Sequence, residues 1–208
     1  GRNQIIRDRE QNVTADDSNP STRPSPAEVF RSMGVIPALA VTAGGLGFLR
    51  PASGTWGSLP PAVVAALLAV FGAPGWQIDL VLVLLLGIGV VACLRFGRSA
   101  EAIMGKKDPG QVVADEIAGQ ALTLLALPWA IADGWAGSPT LPVDITPMAF
   151  NIGLAVVGFL LFRIFDILKP PPANGLQRLG GGMGILVDDL IAGAMAAAVL
   201  QIGVRFIY

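Results

Sequence analysis

The chain has 208 residues, 53% hydrophobic and only 14% charged, with 14 basic against 15 acidic side chains. Soluble domains carry about a quarter charged residues, so this balance makes lipid the expected surroundings, and no nucleic-acid partner is expected. With no histidine and a single cysteine, Cys93, the chain excludes Ser-His-Asp triads, histidine phosphatases, His-ligated zinc and intrachain disulfides, and leaves carboxylates as metal ligands.

Residues 1–33 hold five basic and five acidic side chains, with Pro20, Pro24 and Pro26 among them and few large apolar residues. Such a stretch buries too little apolar surface to offset the entropy of ordering, so a disordered polar tail is expected over 1–33. Its charges cancel, which argues against a polybasic lipid anchor, and no apolar run suited to a secretory signal lies near Gly1. Residues 34–208 are expected to form one membrane-embedded domain. Within it, 34–49 is apolar but holds Gly44, Gly45 and Gly47, and reads as an interfacial or re-entrant piece.

Five apolar segments follow, over 58–76, 78–94, 117–135, 147–165 and 185–204. Each approaches the ~20 residues that cross a bilayer core, giving an all-α, polytopic membrane bundle. Pro128 interrupts the third segment, which could therefore span or be re-entrant. Orientation follows from basic residues in short loops. Arg50, Arg95, Arg98, Lys106, Lys107, Lys169 and Arg178 fall on one side; the other loops hold Asp79, Asp133 and Asp144 and no lysine or arginine. Five crossings then put the N-terminus in the cytoplasm and the C-terminus outside, with Arg205 as a small exception.

On that topology the remaining polar groups meet at one face. Ser53, Thr55 and Ser58 open the first span, Asp115 and Glu116 the third; Arg163, Asp166 and Lys169 close the fourth; Asp188 and Asp189 lie one turn into the fifth. An acidic pair at a helix N-terminus can simply oppose the macrodipole, and Asp166 between Arg163 and Lys169 can be an ion-pair ladder. Asp188-Asp189 is harder to explain as structure, because two adjacent carboxylates among Ile185, Leu186, Val187, Leu190 and Ile191 cost several kcal/mol unless paired or metal-bound. A net-negative, all-oxygen site suits Mg²⁺ with a phosphate. Asp115, Glu116, Asp166, Asp188 and Asp189 are the candidate metal ligands. Gly180-Gly181-Gly182-Met183-Gly184 and Gly54-Thr55-Trp56-Gly57-Ser58 can bring backbone N–H groups close to an anion, which makes Thr55, Ser58, Gly182 and Gly184 candidate phosphate contacts. A Cys-x5-Arg phosphatase loop fails because Ser99 occupies the arginine position, and neither a GxxxxGKS loop nor a D-x-D-x-T motif occurs. Metal-assisted attack of water on phosphorus, or an aspartyl-phosphate, remains. The rival reading is a cation or proton transporter, which would place carboxylates at several depths or both faces.

Four blocks in this order, Ser53-Gly54-Thr55-Trp56-Gly57-Ser58, Asp115-Glu116-Ile117-Ala118-Gly119, Phe162-Arg163-Ile164-Phe165-Asp166-Ile167-Leu168-Lys169-Pro170 and Gly181-Gly182-Met183-Gly184-Ile185-Leu186-Val187-Asp188-Asp189, resemble the bacterial phosphatidylglycerophosphatase A family. The resemblance runs from about Gly44 to Ala198. It implies a Mg²⁺-dependent lipid phosphatase of the bacterial inner membrane, its site facing the cytoplasm, that converts phosphatidylglycerophosphate to phosphatidylglycerol. It also implies that the five acidic residues are the catalytic and metal-binding set. Asp188 or Asp189 is expected to handle the attacking water, while Arg163 and Lys169 offset phosphoryl charge. Ser53, where a proline often stands, and the long tail depart from the family pattern.

Overall fold

The computed structural model of the chain describes residues 23–129, 146–169 and 182–207. Among these, seven α-helices and one 3₁₀ turn form the fold, with no strand: α1 (Pro26–Met33), α2 (Val35–Val41), the 3₁₀ turn (Leu46–Phe48), α3 (Ser53–Val70), α4 (Gly75–Met104), α5 (Ala114–Leu124), α6 (Pro147–Leu168) and α7 (Gly182–Ile207). Four of them, α3, α4, α6 and α7, are long and apolar enough to cross a membrane. Their outward faces carry exposed apolar side chains such as Leu80, Val83, Leu84, Ile88 and Val91 on α4 and Val156, Leu160 and Ile164 on α6. Water would not tolerate such a surface; a bilayer requires it.

Between these helices the contacts are made by small residues. A β-carbon on Gly193 of α7 would stand 2.4 Å from the Gly119 carbonyl oxygen of α5, and one on Gly89 of α4 would stand 2.4 Å from that of Ala114. Where lipid tails remove the hydrophobic incentive for helix association, such backbone approach supplies the packing.

The third crossing differs from its expected form. Instead of a helix over 117–135, α5 spans 11 residues, about 16 Å of rise against a core of about 30 Å. Pro128 cannot donate an N–H and pushes its predecessor to extended geometry, so the helix stops short of it. The chain continues non-helically: Leu127 and Trp129 are buried against Ile78 and Leu82 of α4 and Ala69 of α3, near where α4 begins. Helix and extended tail together thus connect the two ends of the bundle. The freed backbone groups are satisfied: the Ala126 N–H donates to Asp79 Oδ1 at 2.9 Å, and Gln201 Nε2 donates to the Leu125 and Ala126 carbonyls at 3.2 and 2.8 Å. Broken helices are tolerated at membrane depth on that condition. Residues 130–135 of the expected segment lie outside the described residues.

A second correction concerns the tail. Residues 1–22 lie outside the described residues, but 26–33, the last eight expected to be disordered, form α1. Ser25 caps it, exchanging hydrogen bonds with Glu28 in a capping box. Val29 is fully buried in a cluster with Ala38, Val41, Ala100, Met104, Val112 and Ile185, and Phe30 packs near Phe48. One valine and its aromatic neighbour give α1 an apolar face that mean composition concealed. α1, α2 and the 3₁₀ turn thereby cover the end of the bundle where α4 finishes and α5 begins; α2 and the turn are too short to span.

Candidate active site

The Val113 N–H, which precedes α5, donates to the Val41 carbonyl of α2 at 2.8 Å, fixing where α5 starts. Its first turn then presents Asp115, almost fully buried, and Glu116, half-buried. Asp189 of α7 faces them, so that the three residues each place a carboxylate oxygen within 4.8 Å of the others. α3 enters as bare backbone: a β-carbon at Gly54 would lie 2.5 Å from Glu116 Oε1 and 3.0 Å from Arg163 Nη1. Arg163 of α6 is held there by Asp166 Oδ2 at 2.8 Å and by the Ser58 hydroxyl at 3.3 Å. Ser58 is buried and donates in turn to the Gly54 carbonyl. At the end of α6, Lys169 donates to Asp188 Oδ2 at 3.3 Å.

Asp115, Glu116 and Asp189 form a cluster, Asp166 pairs with Arg163 while its carboxyl also meets that of Asp189, and Asp188 pairs with Lys169. Four buried carboxylate oxygens, Asp115 Oδ1, Glu116 Oε2, Asp188 Oδ1 and Asp189 Oδ2, have no hydrogen-bond partner. Buried acceptors are rarely left so, and carboxylates crowded together at membrane depth least of all. A hard divalent cation supplies the missing counter-charge, and oxygen-only donors of this kind suit Mg²⁺, Mn²⁺ or Ca²⁺ rather than soft metals. The residues fit a metal. Among the described residues only Asp79 sits at the far end of the bundle, where it bonds the Ala126 N–H. A path of carboxylates across the membrane, as ion transport would need, is not what these residues form.

A model of the phosphatidylglycerophosphatase A family matches residues 39–204. The chain belongs to that family. It is 32% identical over 181 residues to phosphatidylglycerophosphatase A of Haemophilus influenzae, covering 86% of this chain and 94% of the relative. It is 35% identical over 127 residues to phosphatidylglycerophosphatase A of Escherichia coli, 60% of each chain. A Bacteroides thetaiotaomicron protein, provisionally named a phosphatidylinositol-3-phosphatase, is 30% identical over 170 residues, 80% of this chain and 92% of the relative. No solved structure matches. As a member of a phosphatidylglycerophosphatase family with four helices apolar enough to span, the protein is a membrane lipid phosphatase.

The other residues singled out in the sequence fall unevenly in this family member. Ser58 reaches the site through Arg163. Thr55 lies half-buried in the first turn of α3, and Gly184 is buried in that of α7. Gly182 has a packing reason: a β-carbon there would stand 1.8 Å from the Cys93 carbonyl oxygen of α4, so the α4–α7 crossing itself requires glycine. Gly180 and Gly181 lie outside the described residues. Sequence reasoning missed Asp108, in the α4–α5 loop. Its side chain is exposed, yet desolvation by the protein around it pushes its carboxyl above the usual range; Lys169 opposes that shift, and the charges of Asp188 and Asp166 reinforce it. Lys169 shows the complementary response. Burial alone would lower its pKa, but Asp188 and Asp108 outweigh that and hold it above the usual lysine value. Asp108 stands near Lys106 and Lys107 in a loop that read as topology rather than chemistry. Gln120, in the midst of α5, was missed as well.

Proposed function

We propose that this protein hydrolyses the terminal phosphomonoester of phosphatidylglycerophosphate at the cytoplasmic face of the bacterial inner membrane, with Mg²⁺ held by Asp115, Glu116 and Asp189. The observation that carries this reading is the cluster of unpartnered carboxylate oxygens facing a fixed guanidinium, in a bundle whose outer surface is apolar. The names of the two relatives from H. influenzae and E. coli support the substrate. The name of the B. thetaiotaomicron relative points to another polyol phosphomonoester on a lipid. The cytoplasmic orientation rests on Arg50, Arg95, Arg98, Lys106 and Lys107, all exposed at the site end.

A bound Mg²⁺ supplies positive charge to the phosphoryl oxygens and lowers the pKa of coordinated water. The chain's own groups do the rest. Arg163, its Nη1 held by Asp166 and Ser58, is pre-oriented to offset phosphoryl charge, so little reorganisation is needed as charge shifts in the transition state. Asp188, with one oxygen on Lys169 and the other unpartnered, accepts the proton of the attacking water. The P–O ester bond breaks, the leaving alkoxide takes up the proton that Asp188 accepted, and inorganic phosphate and the lipid alcohol depart. Lys169, partly exposed, is the cation that an arriving anionic headgroup meets first.

Phosphate release by the purified full-length protein tests this, with phosphatidylglycerophosphate, phosphatidylinositol 3-phosphate and phosphatidic acid as substrates, in Mg²⁺ and in EDTA. Release from phosphatidylglycerophosphate that needs Mg²⁺ is expected. Release only from the inositol lipid would reassign the headgroup, and release from none would overturn the reading.

A further inference from the structure

Gln120 is fully buried, and neither its amide nitrogen nor its amide oxygen has a hydrogen-bond partner. It follows Glu116 by four residues on α5, so the two side chains share one helix face, with Gln120 a turn further from the helix start. That face is turned to α3 and α6, because Glu116 Oε1 lies against Gly54 and the Arg163 guanidinium, whereas Ala118 packs on α4 and Gly119 sits between the Phe162 ring of α6 and the Asp189 backbone of α7. Two more polar atoms on the same face or opposite it are unpartnered, Glu116 Oε2 and Arg163 Nε. The unpartnered atoms on this side of α5 and on the facing α6 are thus two N–H donors, Arg163 Nε and Gln120 Nε2, and two acceptors, Gln120 Oε1 and Glu116 Oε2.

This mixture discriminates among ligands. A metal ion would use only the acceptors and a phosphate only the donors. A hydroxyl group both donates and accepts. A buried amide without partners costs free energy that a leucine of similar size would avoid, so its position beside the site points to a ligand that relieves it. Building on the lipid-phosphatase reading, we infer that Gln120 binds a hydroxyl group at the floor of the site and sets the preference for polyol phosphomonoesters over phosphatidic acid. The hydroxyl is the free alcohol of the headgroup. A site made to hydrogen-bond an alcohol discriminates strongly against an analogue that lacks it, since its own polar groups are then left unpaired.

The test compares wild type, Gln120→Leu and Gln120→Met, in full-length protein with Mg²⁺. It reads kcat/KM on phosphatidylglycerophosphate and on phosphatidic acid, the latter also as a competing inhibitor, together with Tm. Turnover of phosphatidylglycerophosphate by the wild type decides the functional reading separately. The expected result is a loss of about 10- to 100-fold on phosphatidylglycerophosphate at unchanged or raised Tm, since an unsatisfied amide has been removed. A loss confined to that lipid, with phosphatidic acid handled as before, supports the headgroup alcohol as the bound group; an equal loss on both leaves the preference unchanged and overturns the inference. Unchanged kcat/KM in either variant overturns the inference. So does a loss that comes with a lowered Tm in both variants, which is what a packing role would give.

Discussion

The two ends of α5 put polar groups into the same apolar bundle and treat them in opposite ways. At the far end, the backbone of Leu125 and Ala126 leaves helical geometry, and each freed group finds a partner in Asp79 or Gln201. At the near end Asp115 Oδ1, Glu116 Oε2 and, one turn on, both amide atoms of Gln120 find none. The first arrangement is what stability demands in a low-dielectric surrounding. The second is unfavourable until something binds. At the far end Trp129 Nε1 alone among the described residues is buried without a partner, so what marks the near end is not polarity inside the membrane but a cluster of unpartnered polar groups.

Stripping the metal should break that contrast most completely. EDTA should abolish turnover and Mg²⁺ restore it, with Mn²⁺ a further candidate, and the Tm of the protein should rise on adding Mg²⁺ because the ion binds only the folded cluster. Full activity after dialysis against EDTA would remove the metal from the mechanism and leave an aspartyl-phosphate route, visible as a hydroxylamine-sensitive intermediate. The next largest effect is expected from Glu116→Gln and Asp189→Asn, each lowering kcat by about 10²-fold or more. Because each also removes one charge from a crowded buried cluster, the metal-free variants should melt no lower than metal-free wild type. A lowered melting point with retained turnover would make these carboxylates structural.

Much of this site was legible in the sequence, and the limits of that legibility are physical. Apolar runs and basic loops place Asp115, Glu116, Asp166, Asp188 and Asp189 at one end without any structure, because crossing a bilayer leaves only two sides to choose from. The Arg163–Asp166 pair follows from a spacing of three on a helix. The Lys169–Asp188 pair joins residues 19 apart across a loop, and the exclusion of Asp188 from the carboxylate cluster depends on how α7 is rotated against α5; neither is encoded in spacing. The length of α5 was misjudged because hydropathy is indifferent to whether an apolar stretch is helical, and only Pro128 carried the warning. α1 was missed for the reverse reason. Its charged residues dominate the composition, while the burial of Val29 is decided by the α2 and α4 surfaces it meets.

That misjudged helix offers an intermediate test. Removing 1–22 should change little, since the stretch is polar, with three basic and four acidic side chains. Removing 1–33 should lower Tm measurably, since burying a valine contributes about 1.5–3 kcal/mol. Activity should fall as well, because the cap holds Val113 through Val41 just before Asp115. Equal behaviour of the two truncations would show that α1 contributes nothing. The smallest effect belongs to the satisfied end. Asp79→Ala should cost about 1 kcal/mol for an exposed hydrogen bond to a charged acceptor, lowering Tm by roughly 2–4 °C in a protein of this size, with kcat unchanged. A fall in kcat without a change in Tm would mean that the far end takes part in catalysis.

The length of α4 has a kinetic consequence. Its 30 residues rise about 45 Å, some 15 Å more than a bilayer core, and its last three turns carry exposed Arg95 and Arg98. Cationic groups held at that height gather anionic lipids around the helix. The concentration that governs this phosphatase is then a surface density, replenished by lateral diffusion. Its rate should follow the mole fraction of substrate in the membrane, fall when neutral lipid is added at constant total substrate, and weaken with salt as the local enrichment is screened.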